Sequence, residues 1–176
     1  WVRKGGTLIG SESTAAFLTK GRSGITSVEM AKSEKKDEKD KSVVEERFYT
    51  RYEALSDSSN TNRVSGSAFR AVIDNSHPLA AGMKETMYTL KFGSESFAPS
   101  SSFQMVGHYD RDAASVLASG FASDENKKKI AGNGFAGVSS MGAGKVIFLL
   151  DKTQYRMFWI GPSRMIQNAV MLMPGM

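Results

Sequence analysis

Three glycines between residues 132 and 137 have the spacing of a dinucleotide-binding loop. Gly132, Gly134 and Gly137 match the pattern G-x-G-x-x-G, in which glycines let the backbone approach a pyrophosphate at the start of a helix. That chemistry requires a strand before the glycines and a helix after them. Here a predicted helix comes first and a predicted strand follows. The order therefore favours a helix end at Gly132 and an extended run through Gly134 and Gly137.

A second glycine motif, Gly144-Lys145, resembles the end of a phosphate-binding loop. Such a loop has a glycine five positions before its Gly-Lys pair and a Ser or Thr directly after it. Ser139 and Val146 occupy those two positions in this chain. The segment 141–144, MGAG, is therefore predicted to be a tight hairpin turn between two strands.

The two histidines limit the catalytic and metal-binding chemistry that the chain can support. His108 is followed by Asp110 and Asp112, but these three candidate metal ligands would need a fourth from elsewhere, and a metal site is the less favoured interpretation. His77 lies in DNSHPLAAG, where a fixed turn with a hydrogen-bonded imidazole is favoured over a ligand role. The absence of cysteine excludes thiolate chemistry, and no G-x-S-x-G elbow is present. We therefore predict no catalytic residue and no metal site.

The densest group of polar and aromatic residues follows the strongest predicted strand. This group contains Asp151, Tyr155, Arg156 and Trp159. Because ligands of open α/β sheets bind outside the carboxyl ends of strands, these four residues are predicted to line a ligand pocket, with His77 as a further candidate. A structural role, with Arg156 paired to an aspartate and stacked on Trp159, is the favoured alternative.

The composition sets limits on the partners of the chain. The 176 residues carry 23 basic and 18 acidic side chains, a formal net charge of +5. The most charged segment, residues 32–47, mixes both signs evenly, which is typical of a solvated segment and not of a phosphate-binding arm. We therefore expect no nucleic-acid partner. No apolar run approaches the roughly 20 residues that span a bilayer, so we expect no membrane insertion either.

Short apolar runs alternate with turn residues and helical patterns along the chain, which predicts an α/β fold. Helices are expected at 14–20, at 123–132 with Ser123 as N-cap, and at the C-terminus. The apolar face of the C-terminal helix comprises Met165, Ile166, Ala169, Val170, Leu172 and Met173 and is expected to be core. Strands are expected at 7–10, 67–74, 86–93, 102–109, 114–121, 135–140 and 145–151.

Residues 27–63 have a composition unlike that of the rest of the chain. They are charged at first and then polar, with little apolar content, so they are predicted to form a flexible insertion within the single domain 1–176. First proteolytic cuts are expected between residues 32 and 41.

Several strings taken together indicate a family. They are WVRKGGTLIGSES, the charged insertion, GSAFRAVIDNSHPLAAGM and the stretch 117–173, which begins LASGFASDENKKKIAG. They resemble the C-terminal region of bacterial zinc carboxypeptidases of the carboxypeptidase A-like class. In those proteins a peptidase domain precedes a domain similar to class I glutamine amidotransferases. The resemblance implies a flavodoxin-like three-layer α/β sandwich, here a fragment that lacks its first strands.

The resemblance implies little chemistry for this chain itself. The peptidase binds zinc through an H-x-x-E pair, which neither His77 nor His108 heads, and glutaminases use a cysteine that is absent here. The implied function is a non-catalytic accessory domain of an exported, periplasmic or extracellular zinc carboxypeptidase, with zinc held only by the upstream peptidase domain. The implied partners are that domain, a peptide or cell-wall-derived substrate, or a second copy of the chain. Alternatives are a module that binds a small polar ligand or saccharide, and a cryptic hydrolase using either histidine.

Overall fold

The fold is described by a computed structural model for residues 1–31, 63–157 and 159–175. Within these residues it contains seven strands and three α-helices. The strands are β1 (Thr7–Ser11), β2 (Ser65–Ile73), β3 (Thr86–Phe92), β4 (Gln104–Tyr109), β5 (Leu117–Ser119), β6 (Gly134–Met141) and β7 (Gly144–Leu149). The α-helices are α1 (Ser13–Phe17), α2 (Asp124–Ile130) and α3 (Ile160–Met171), and short 3-10 turns span Val2–Lys4, Pro78–Ala80, Tyr155–Met157 and Met173–Gly175.

All seven strands belong to one sheet. Its order is β1-β7-β6-β4-β2-β3, and β5 pairs with β2 beside this path. The β1–β7 pair is parallel, whereas the other pairs are antiparallel. The prediction of an α/β fold is confirmed. The finer prediction of a flavodoxin-like sandwich stays a prediction, because parallel pairing is limited to β1 and β7 among the described residues.

Strand β7 divides the core between the two faces of the sheet. Successive side chains of a strand point to opposite faces. Ile147 and Leu149 belong to a buried cluster that includes Met165 of α3. Val146 and Phe148 belong to a second cluster that includes Ala15 of α1. Helices therefore cover both faces of the sheet, and both clusters gain stability from the apolar area that this removes from water.

The glycine motif forms a helix end and a strand. Ser123 Oγ accepts a hydrogen bond from Asn126 N at 3.3 Å, which caps α2, and Gly132 beyond the helix has φ +73°. Gly137 lies in β6, where a Cβ atom would come within 2.5 Å of the backbone oxygen of Gln104 on β4. The predicted helix end and extended run are confirmed. The glycines of β6 serve the close approach of β4.

The MGAG segment is the predicted hairpin. Met141 of β6 pairs with Gly144 of β7, so two residues form the loop, and Gly142 has φ +63°. A positive φ at the first loop position is what tight hairpins require, and glycine adopts it without steric cost.

The predictions for the C-terminal helix are partly wrong. Met165, Ala169 and Met173 are buried, but Val170 is 59% exposed and Leu172 is 39% exposed. The reason is geometric, because α3 packs against β3 and residues 78–80 on one side, so its buried stripe is narrower than the apolar pattern suggested. In the described parts of the chain, no helix has the length and apolar character needed to cross a membrane.

The predicted insertion at 27–63 lies mostly outside the described residues. Its described start is packed, since Val28 is fully buried and Met30 forms a β-bridge with Phe97. Residues 32–62, which include the predicted proteolytic sites, are outside the described residues.

Candidate functional site

Asp151, the first of the predicted pocket residues, lies inside the protein. It follows β7 and is 4% exposed. The Tyr109 hydroxyl from β4 lies 2.7 Å and 2.8 Å from its two carboxylate oxygens, and Thr89 Oγ1 from β3 donates to Oδ2 at 3.0 Å. Two hydroxyl groups, one from β3 and one from β4, therefore solvate the carboxylate in place of water.

A buried lysine completes this group. The ammonium of Lys91 on β3 lies 3.4 Å from Asp151 Oδ1, and the side chain is 1% exposed. Its Nζ also donates to the Tyr109 hydroxyl at 2.8 Å and to the backbone oxygen of Glu95, and it lies 4.7 Å from the centre of the Tyr109 ring. We call Thr89, Lys91, Tyr109 and Asp151 the buried polar cluster. Sequence inspection did not single out Thr89, Lys91 or Tyr109.

The buried polar cluster has strongly perturbed electrostatics. Burial lowers the pKa of Lys91, and the nearby Asp151 carboxylate opposes that shift. Burial, together with Asp151, raises the pKa of Tyr109 well above its usual value. Tyr109 therefore stays protonated and acts as a donor to the carboxylate at neutral pH.

The buried polar cluster contains acid and base groups but is closed to solvent. Tyr109 is fully buried and Lys91 is 1% exposed, so a substrate atom has no approach to either group in this conformation. What the arrangement does is join three parts of the fold, namely β3, β4 and the segment after β7. Its chemistry is that of an internal, hydrogen-bonded ion pair.

The other predicted pocket residues lie near the start of α3. The Tyr155 ring packs against Phe92 with 6.0 Å between ring centres, and the exposed Arg156 guanidinium lies 5.1 Å from the Tyr155 ring centre. Arg156 has φ +50°, an uncommon backbone conformation for a residue with a side chain. Trp159 is the N-cap residue of α3 and is half-buried. The structural alternative named no particular aspartate as the partner of Arg156, and Asp151 is paired with Lys91.

His77 occupies a turn and uses its ring in a local hydrogen bond. Its Nδ1 accepts from Leu79 N at 3.0 Å, which caps the 3-10 turn that begins at residue 78. Burial lowers the pKa of His77; Asp74 and Gln104 oppose this shift, and Lys145 adds to it. This geometry matches the hydrogen-bonded turn that the sequence favoured. A ligand role for His77 stays a prediction.

His108 and the aspartates after it are also engaged locally. His108 Nδ1 lies 2.8 Å from the backbone oxygen of Tyr109, and Asp112 Oδ1 accepts from Ala114 N at 2.9 Å. Asp110 lies 3.9 Å from the Arg70 guanidinium. Within residues 1–31, 63–157 and 159–175, no three such side chains come together in a way that could hold a metal ion.

A cleft that sequence inspection missed lies between the segment 82–87 and the first half of α3. Its volume is about 500 Å³, and its lining includes Met83, Lys84, Met87, Ile160, Arg164 and Gln167. The two sides of the cleft are far apart in the sequence, and neither carries a recognisable motif. Only the packing of α3 against residues 78–80 and β3 brings them together.

The chain was compared with known proteins by sequence and by structure. No protein-family model, curated protein or solved structure was found to match it.

Proposed function

We propose that this chain is a non-catalytic accessory domain of a larger, exported zinc carboxypeptidase. The proposal starts from the resemblance of the sequence strings described above. The observation that carries its non-catalytic part is the buried polar cluster, in which Lys91, Tyr109 and Asp151 are used in contacts with one another and are closed to solvent. Zinc and peptide hydrolysis then belong to the upstream peptidase domain, because neither His77 nor His108 heads an H-x-x-E motif here.

The edge of the sheet gives this proposal a structural basis. Strand β1 is last in the strand order and, among the described residues, pairs only with β7. Its Leu8 and Ile9 are half-buried. Parallel sheets normally have both faces covered, and an edge strand presents unpaired N–H and C=O groups, so the edge that β1 presents among the described residues is suited to a further strand. In the flavodoxin-like fold that we propose, additional parallel strands from the same parent protein pair with β1.

The test is a paired assay of this 176-residue chain and the full-length product of its gene. Bound zinc is measured, together with release of C-terminal residues from peptides. We expect the short chain to be zinc-free and inactive and the long product to bind zinc and cleave. Zinc or turnover in the short chain would overturn the non-catalytic role. A long product without zinc or peptidase activity would overturn the proposed parent.

Hydrogen exchange of the β1 amides tests the fold part of the proposal separately. The backbone amides of Leu8 and Ile9 point to opposite edges of β1, so one of the two points away from β7 and exchanges quickly if no strand covers it. We expect slower exchange of β1 in the long product than in the short chain, with β6 unchanged as the internal control. Equal exchange of β1 in both proteins would contradict the proposed additional strands.

A second candidate function is the binding of a small polar ligand or saccharide near Tyr155, Arg156 and Trp159. The observation that favours it is the exposed guanidinium of Arg156 on a backbone with φ +50°, because unusual backbone conformations concentrate at binding sites. A panel of saccharides is screened for a rise in melting temperature, and Arg156→Ala is expected to abolish that rise. A rise that persists in Arg156→Ala would exclude this site.

A further inference from the structure

The cleft between residues 82–87 and α3 has the size and lining of a ligand site. About 500 Å³ lies within the range of pockets that hold small organic molecules. Met83, Met87 and Ile160 supply apolar surface, and Ile160 is 78% exposed although it is large and apolar. Methionine side chains adapt to ligands of different shape. The apolar part of the lining is therefore open to a hydrophobic molecule.

The charge of the cleft has one sign. Its lining contains two cations, Lys84 and Arg164, together with the Gln167 amide, and no carboxylate. Both cations are exposed, and neither forms an ion pair with another described residue. They lie on opposite sides of the cleft, Lys84 before β3 and Arg164 on α3. An anion placed between them would be attracted by both.

Gly82 allows the Arg164 guanidinium to lie against the backbone. A Cβ atom at position 82 would be 3.3 Å from Arg164 Nη2 and 3.6 Å from Nε. Gly82 also has φ +73°, which side-chain-bearing residues rarely adopt. The guanidinium therefore lies across the cleft wall at a position where any other residue would crowd it. Its remaining N–H groups match the two oxygens of a carboxylate.

We propose that this cleft binds the carboxylate of an amphipathic organic acid, with its acid group between Lys84 and Arg164. The apolar body of the acid packs against Met83, Met87 and Ile160. A single carboxylate with an apolar body fits better than a polyphosphate, because apolar surface dominates the lining and the cations are two. The cleft does not include the residues on which the proposed accessory role rests. The two proposals are therefore tested independently.

The experiment compares three probes by titration calorimetry: 4-phenylbutyrate, its uncharged amide, and inorganic phosphate. The acid and the amide share the same apolar body, so their affinity ratio isolates the charge. We expect the acid to bind about tenfold or more tightly than the amide, since a charge-assisted hydrogen bond to a guanidinium is worth about that factor. Equal affinity for acid and amide would overturn the proposal, as would phosphate binding as tightly as the acid or no binding of the acid.

Variants assign the two parts of the site. Arg164→Met is expected to reduce the acid-to-amide ratio about tenfold, and Lys84→Gln to reduce it about threefold. Ile160→Ser is expected to weaken acid and amide equally, leaving their ratio unchanged. Arg111→Met is the matched control, because Arg111 is exposed and lies outside the cleft lining. An unchanged ratio in Arg164→Met, with an unchanged melting temperature, would show that the acid binds elsewhere.

Discussion

Replacing Asp151 by asparagine tests whether the buried polar cluster is an ion pair on which the fold depends. The substitution keeps the shape of the side chain and an oxygen that can accept from Tyr109 and Thr89. It removes the negative charge that lies 3.4 Å from Lys91 Nζ. The ammonium is then left in the core, 1% exposed, with the hydroxyl of Tyr109 and the backbone oxygen of Glu95 as its remaining acceptors.

The expected loss of stability is large. Removing one partner of a buried ion pair costs about 3–5 kcal/mol, and the retained amide oxygen places Asp151→Asn at about 3 kcal/mol. Lys91→Met should cost about 1.5–3 kcal/mol, because the carboxylate keeps its two hydroxyl donors. The double variant, Asp151→Asn with Lys91→Met, should lose less stability than the sum of the two single losses, because it leaves neither charge buried without its partner. Typical domains have about 5–15 kcal/mol in total, so each single loss is measurable.

Urea denaturation supplies the assay. With a slope of about 1–3 kcal/mol per molar urea, a loss of about 3 kcal/mol lowers the midpoint by roughly 1–3 M. Asp112→Asn is the control, because Asp112 is exposed and should change stability by less than about 0.5 kcal/mol. Losses below about 1 kcal/mol in both single variants, or strict additivity in the double variant, would refute the dependence of the fold on this pair.

The pH dependence of Asp151→Asn gives an independent readout. Lys91 has a pKa below 10.5 in the folded protein, so between that lowered pKa and 10.5 the unfolded chain binds more protons and stability rises with pH. Loss of the carboxylate lowers the pKa of Lys91 further. The difference in stability between Asp151→Asn and the parent protein should therefore become smaller as pH rises toward about 10. When both proteins also carry Lys91→Met, the difference between them should no longer change with pH in this range.

Two further predictions concern residues outside the buried polar cluster. Burial lowers the pKa of His77 below 6.5, so the stability of the folded protein should fall as pH drops from 6.5 through that lowered value. In His77→Asn the side-chain oxygen can still accept from Leu79 N, so this variant should lose the pH dependence in melting curves. An identical acid profile in the variant would contradict the prediction. Gly137→Ala should destabilise the protein by about 1–3 kcal/mol, because the added Cβ would lie 2.5 Å from the backbone oxygen of Gln104. Gly21→Ala is the control, because open space surrounds Gly21, and its free energy of unfolding should change little in the same urea assay. Equal losses of stability in the two variants would contradict the packing role of Gly137.

The sequence predicted well those elements that depend on local chemistry. Ser123 caps α2, and Gly132 with positive φ ends the turn after it, because capping needs only a few neighbouring residues. The MGAG hairpin is similar, since its two-residue loop depends on Gly142. In both places the residues that predict the element are the same few residues that form it.

The buried polar cluster could not be predicted in that way. In β3 the residues Tyr88 and Phe92 are more apolar than Lys91, yet they are 53% and 43% exposed while Lys91 is buried. This reversal is stable only because Asp151 and Tyr109 reach Lys91 from other parts of the chain. A single strand does not show such compensation, so Asp151 was expected in an open pocket and is found in the core.

The parallel pairing of β1 with β7 has a consequence for the order in which this protein is made. Thr7 faces Lys145 and Ser11 faces Leu149, so nearly all of the described chain must leave the ribosome before β1 meets its partner. The β6–β7 hairpin can close by itself, because its two strands are adjacent in sequence. Until that hairpin emerges, Leu8 and Ile9 lack their partners on β7, and an apolar strand without this partner is a segment that a chaperone would protect during synthesis.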